Sequence, residues 1–246
     1  ALRHRSQGGG KASEALYYEL MAGYYARIQQ ASREGQSLVA HGAMVPPELL
    51  YALDIVPMLM EATSTGTVAS LKIQDEMLRL GERVGWGLNI CSSRRVEAAM
   101  LVKGWLPRPD AVIWSNNVCD AVAKSGLFLQ NLYNIPGFFL DRPYGTSERD
   151  KRYYAEEIEE LGRFLQGFAN RTLDVGHLHE VLNNAWKTAK LHREIYELRG
   201  ARPCPMSNRQ GMQVAIIGTL YSGTHEGLNY FLAVRDELQD MVAKGI

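Results

Sequence analysis

Pro107-Arg108-Pro109-Asp110-Ala111-Val112-Ile113-Trp114-Ser115-Asn116-Asn117-Val118-Cys119-Asp120 is the stretch that decides the fold. Two prolines and an aspartate make a tight turn, the apolar run AVIWS has strand length, and polar residues then lead into a helical pattern from about Ala121 to Leu132. A short apolar run bounded by turn residues is how a strand buried on both faces reads. The same pattern recurs on either side. Upstream, Ser37 to Met44 (SLVAHGAM) is a buried strand, and Pro46-Pro47-Glu48 opens a short helix, ELLYALD, because a proline just inside a helix start has no amide left unpaired. Val56 to Met60 is a second strand, residues 66–87 are helical, and the helix VEAAMLVKGW follows Ile90-Cys91-Ser92-Ser93-Arg94-Arg95. Downstream, Ile135 to Leu140 is a further strand. Strands alternating with helices at this spacing predict right-handed crossovers and a Rossmann-like parallel sheet flanked by helices.

Around this centre the chain divides in order. Residues 1–12 read as a polar, disordered arm, and an amphipathic helix runs from Ser13 to Glu34 with Leu16, Tyr17, Leu20, Met21, Tyr24, Tyr25 and Ile28 at helical spacing. Residues 13–145 form a first α/β domain and residues 146–200 a helical segment with many charges. After the breaker GARPCPMS, Met212 to Gly218 (MQVAIIG) is expected to be a strand and residues 226–242 a helix. One strand and one helix cannot bury their own faces, so 208–246 is expected to start a second α/β unit, completed by a neighbouring sheet or by further polypeptide.

Composition narrows the functional classes. Lys plus Arg and Asp plus Glu each number 27, which leaves no net field to gather nucleic acid or an anionic membrane. Near-zero charge also favours a chain that lives inside a complex. No apolar run approaches the roughly 20 residues of a membrane span. Three cysteines without a secretory signal argue for reduced thiols in a cytoplasm rather than a disulfide framework.

Ligands of open parallel sheets bind beyond the carboxyl ends of the strands. Three loops bring polar or thiol groups there: His41 to Glu48, Cys91 to Arg95 and Asn116 to Asp120. Cys91 and Cys119 each stand at a helix start, where negative charge is stabilised, and the thiolate is the form that binds metal. Together they could meet at an iron–sulfur cluster; equally, each could be a small buried hydrophobe. His41 and Glu48 are candidates for proton transfer or for hydrogen bonding a substrate. A histidine after a buried strand is also often a satisfied core residue, and Glu48 suits a helix N-terminus for its own sake. Ser92 and Asn117 could donate to cluster sulfurs, or simply shape turns.

Val39-Ala40-His41-Gly42-Ala43-Met44-Val45-Pro46-Pro47-Glu48-Leu49-Leu50-Tyr51-Ala52 resembles the opening signature of the 2-hydroxyacyl-CoA dehydratase and benzoyl-CoA reductase subunits. Cys91-Ser92-Ser93-Arg94-Arg95 and the stretch Asp110 to Asp120 resemble the segments with that family's first two cluster cysteines. Arg202-Pro203-Cys204-Pro205-Met206-Ser207 falls where the family leads into its second α/β domain. The resemblance spans about residues 15–245. It implies an oxygen-sensitive enzyme subunit holding a 4Fe–4S cluster, with Cys91 and Cys119 as ligands. The family's third cysteine comes from the second domain, past residue 246, and Cys204 does not match it. It also implies acyl-CoA thioester substrates reduced by one electron to a ketyl radical, a homologous second subunit, and an ATP-hydrolysing iron–sulfur activator protein as electron donor. Tyr51-Ala52-Leu53-Asp54-Ile55-Val56-Pro57 leans the choice toward aryl-CoA reduction over dehydration. Two other readings stand beside this one: a non-catalytic partner subunit without a complete cluster of its own, and an unrelated nucleotide-binding domain whose cysteines are core residues.

Three further features are expected to carry no chemistry. Gly218 to Gly223 lacks the Lys-Ser/Thr of a phosphate loop and reads as a turn. His177-x-His179-Glu180 does not share one helix face and reads as a solvated helix start. Trp86, Trp105 and Trp114 are expected to pack in the core.

Overall fold

The computed structural model describes residues 11–117 and 119–246. The expected arm therefore lies almost wholly outside the described residues, and Ala12 is already helical. The chain forms two compact units that interleave in sequence. One takes the chain up to Arg27, Pro46–Ala52 and Asp174–Ile246; the other takes Ile28–Val45 and Leu53–Leu173. This grouping replaces the linear division at residues 145 and 200, because the chain leaves the sheet unit at Pro46 and returns to it at Leu53.

The sheet unit is built on four parallel strands: β1 (Leu38–His41), β2 (Val56–Leu59), β3 (Ala111–Ser115) and β4 (Gly137–Leu140). Their order is β2-β1-β3-β4, with His41 in register with both Leu59 and Ile113, and Ser115 with Leu140. Every residue of β1 and β3 is buried, which explains why both read as unbroken apolar runs rather than alternating ones. The sheet helices are α3 (Met60–Leu71), α4 (Gln74–Arg83), α5 (Ser92–Val102), α6 (Asp120–Tyr133) and α7 (Glu148–Ala169). Trp86 and Trp114 are buried as expected. Trp105 is not: it is 47% exposed, with Lys103 Nζ over its ring. It lies just past the end of α5, beyond the buried face of that helix.

The helical unit contains the first part of α1 (Ala12–Glu34), whose last turns belong to the sheet unit, with α2 (Glu48–Ala52), α8 (Val175–Leu198), α9 (Asn208–Leu220) and α10 (His225–Ala243). Its core is Tyr24, Leu50, Ile195, Ile217, Leu220, Tyr221, Tyr230, Phe231, Val234 and Leu238. Tyr51 donates to the Leu220 carbonyl, and Tyr221 donates to the Leu20 carbonyl at 2.6 Å.

The expected strand at Met212 to Gly218 is a helix, so among the described residues 208–246 are two helices and begin no second sheet. The buried residues Gln210, Gln213, Val214, Ile217 and Leu220 recur at three- and four-residue steps, the helical period. Ser207 caps the start, its hydroxyl accepting from the Gln210 amide at 3.2 Å. The apolar run VAIIG is short enough that its residue types suggest a strand, while the longer period decides for helix. No helix among the described residues is long and apolar enough to cross a membrane.

Candidate functional site

In the order β2-β1-β3-β4, β1 connects outward to one edge and β3 to the other, so the topological switch point lies between the carboxyl ends of β1 and β3. Loops that leave strands on opposite courses diverge there, and open parallel sheets generally bind their ligands at such a point. The sheet unit carries five of the six expected site residues: His41, Cys91, Ser92, Asn117 and Cys119. The sixth, Glu48, opens α2 in the helical unit, where its carboxylate accepts from the Ser222 hydroxyl at 2.6 Å.

Cys91 and Cys119 occupy equivalent places. Each is the residue immediately before a helix, α5 or α6, and each is exposed and free. The reading of these two thiols as small buried hydrophobes is therefore excluded. Neither makes a side-chain capping bond. The contrast with α7, α8, α9 and α10 is informative, because Ser147, Asp174, Ser207 and Thr224 all cap their helices by accepting an amide. A Ser, Thr, Asp or Asn at such a position is worth about 1 kcal/mol. The chain forgoes that at both cysteine positions and exposes a free thiol at each helix start instead. Ser92 is the exposed first residue of α5, and the Asn117 amide donates to Ser115 Oγ at 3.2 Å. Asn116 ties the ends of β3 and β4, its side chain donating to Asp141 Oδ1 at 2.6 Å and accepting from the Arg142 amide at 2.8 Å.

His41 ends β1 inside the core at 1% exposure. Its Nδ1 lies 3.1 Å from the Gly42 carbonyl oxygen, which makes that nitrogen the protonated one. Burial pushes its pKa down to about 4, partly offset by this bond, so the ring is neutral near pH 7.

The residues that sequence reasoning missed stand on the helices beside these loops. Arg94, 2% exposed, approaches Glu97 Oε2 at 2.7 Å and Glu61 Oε1 at 3.2 Å. Its Nη1 also donates to Ser125 Oγ at 3.3 Å and its Nη2 to Ser93 Oγ at 3.4 Å. Glu61 Oε1 accepts in addition from the Ala43 amide at 3.1 Å, two residues past β1. Burial raises the Glu97 carboxyl to about 7; Arg94 opposes this, Glu61 adds to it, and a Ser125 hydrogen bond lowers it. Glu61 Oε2 and Glu97 Oε2 are buried without an aligned hydrogen bond, although the latter touches Arg94. A signal for this cluster exists in the sequence. Arg94 and Glu97 stand three apart, a spacing that puts them on one helix face with the apolar Leu101.

Cys204 belongs to the helical unit, where its thiol lies 3.4 Å from the Met206 carbonyl oxygen. In the same unit Glu180 pairs with His225 at 2.8 Å and approaches His177 at 3.8 Å on the surface. Gly218 is inside α9, and Gly223 takes a positive φ of 87° in the turn before α10, close against Val181 and Glu48. No group of three or more His, Cys, Asp or Glu side chains with metal-binding geometry occurs among the described residues.

Residues 43–246, most of the chain, match the family model described as 2-hydroxyglutaryl-CoA dehydratase, D-component. The chain belongs to this family. Among curated relatives, it is 22% identical to the (R)-2-hydroxyisocaproyl-CoA dehydratase alpha subunit of Clostridioides difficile, across 96% of the chain and 60% of the relative. It is 26% identical to the lactoyl-CoA dehydratase subunit alpha of Anaerotignum propionicum, across 97% of the chain and 61% of the relative. The (R)-phenyllactyl-CoA dehydratase alpha subunit of Clostridium sporogenes matches at 22% identity over 88% of the chain and 55% of the relative. The chain thus spans less than two thirds of the length of these curated relatives. They are dehydratase subunits, and they give no support to the lean toward benzoyl-CoA reduction drawn from Tyr51 to Pro57.

Proposed function

We propose that this member of the D-component family is part of a dehydratase subunit acting on 2-hydroxyacyl-CoA thioesters, with Cys91 and Cys119 holding part of an iron–sulfur cluster. Its setting would be an anaerobic cytoplasm. The observation that carries the reading is the pair of exposed, free thiols at uncapped helix starts beside the switch point. That donor set fits a cluster in chemistry: thiolates are its usual ligands, and helix-start amides favour their negative charge and that of the sulfides. What a 4Fe–4S cluster supplies when bound is a single low-potential electron for the thioester carbonyl, the group on which an otherwise unreactive β-proton depends.

The chain's own residues take narrower parts. Ser92 and Asn117 stand beside the cysteines, where polar groups tune a cluster's potential. His41, neutral and buried, serves through a hydrogen bond rather than a charge. Glu48, held by Ser222, belongs to the framework of the helical unit. The subunit names of the relatives support a homologous partner chain, and the electron would come from an ATP-hydrolysing iron–sulfur activator protein.

A second reading, the non-catalytic partner subunit, is favoured by the position of Cys204, which leaves the sheet unit with two thiols rather than three. One experiment separates the readings. Iron and acid-labile sulfide are measured on the oxygen-free protein together with its co-purifying subunits, for wild type, Cys91→Ala and Cys119→Ala. Stoichiometric iron lost in both variants supports the cluster-holding subunit. Iron that both variants retain assigns the working cluster to another chain.

A further inference from the structure

We propose that Arg94 is a positioning residue for the two cysteine-bearing helix starts, one guanidinium fixing α5, α6 and the loop after β1 as a single piece. The inference rests on the reading of Cys91 and Cys119 as ligands of one centre.

Arg94 stands one helical turn from Cys91, with its amide and that of Arg95 donating to the Cys91 carbonyl at 3.0 and 3.2 Å. The backbone that carries Cys91 is therefore locked to the residue whose side chain is most constrained. From there the guanidinium reaches Ser125, which lies on α6 beyond Cys119 and whose hydroxyl also donates to the Ala121 carbonyl at 3.3 Å. Toward the third element it meets Glu61, whose carboxylate receives the Ala43 amide. Ser93, next to Arg94, contacts Thr65 Oγ1 of α3 at 3.3 Å. Arginine suits such a junction because its planar fork presents several donors in fixed directions, which a lysine ammonium does not. The burial is also telling: a charge at 2% exposure is retained against a desolvation penalty that apolar residues would avoid. Its partners all lie on elements that leave or approach the carboxyl edge of the sheet, the edge that carries both cysteines.

The test uses cadmium, which two thiolates bind together, on the oxygen-free chain in a Cys204→Ser background. In the wild-type site, Cys91→Ser and Cys119→Ser should each weaken cadmium binding by about tenfold or more. Arg94→Met should weaken it by a similar factor, Arg94→Lys by less, and Ser125→Ala by a few-fold. Alkylation of each thiol alone should stay as in wild type, and Ser125→Ala, which deletes one buried hydroxyl, should lower the melting transition only modestly. A residue that only stabilised the fold would shift melting and leave the cadmium affinity of the folded protein alone. If Arg94→Met does not fold, Arg94→Lys and Ser125→Ala carry the decision. Cadmium affinity unchanged in these variants, with both cysteines still required, overturns the positioning role and leaves the two-thiol site standing. Cadmium binding that ignores the cysteines removes both.

Discussion

The two units bury polar groups of different kinds. Among the described residues of the helical unit the buried polar side chains besides tyrosine are Ser13, Asn184, Thr188, Gln210 and Gln213, all neutral. Tyr51 and Tyr221 give their hydroxyls to helix carbonyls, a way to satisfy a polar tip without bringing in charge. The sheet unit buries Arg94, Glu97 and the ionisable His41. Burying charge disfavours folding unless it is paired, so a core that needs only cohesion avoids it. The difference marks the sheet unit as the one whose core carries more than cohesion. Outside the tyrosines, the two groups that burial shifts furthest, His41 and Glu97, lie in the unit that also exposes the uncapped thiols.

The largest effect expected from this contrast is at its centre. Arg94→Met leaves Glu61 and Glu97 facing each other without their cation, and should destabilise the protein by about 3–5 kcal/mol in urea unfolding. Adding Glu97→Leu and Glu61→Gln should return much of that loss, because removing all partners at once spares the protein an unpaired charge. A loss under about 1 kcal/mol for the single variant would place Arg94 with ordinary surface residues and erase the contrast.

A middle-sized effect separates His41 from Glu97 by sign. His41 has a folded pKa of about 4, below its ordinary 6.5, so the unfolded chain binds the extra proton and stability falls as pH drops through that window. Glu97 is raised to about 7 from 4.5, so the folded protein holds the extra proton and stability falls as pH rises from 4.5 to 7. Each amounts to at most about 3 kcal/mol, and between 4.5 and 6.5 they oppose. His41→Gln should therefore expose a decline with rising pH, and Glu97→Gln a decline with falling pH. Matching slopes in the two variants would contradict the assignment. The smallest effect is on the surface of the helical unit, where Glu180→Gln should leave the urea unfolding midpoint as in wild type, since Glu180 and its partners His177 and His225 are exposed.

The sheet was legible because its two central strands are buried on both faces. Ala111 to Ser115 is the strand the sequence predicts, end to end, and α6 and α10 agree within a residue or two. What misled at Met212 to Gly218 was local residue type overruling a longer period. The interleaving of the units was not legible, since nothing in Pro46 to Ala52 says which core its short helix joins. At the candidate site the cysteines stood out by their places at helix starts. Glu61 did not, and the spacing of Arg94 and Glu97 was a weak signal, because a charge in a sequence reads as solvated until tertiary packing closes over it.

That interleaving has a consequence for synthesis. Residues of the sheet unit are complete once Leu173 has emerged, but the helical unit draws on segments as far apart as Tyr18 and Leu238. At about 5–20 residues per second, the apolar face of α1 around Met21 and Tyr24 waits on the order of ten seconds or more for its partners on α9 and α10. During that time the face stays open on a nascent chain whose other half can already be folding.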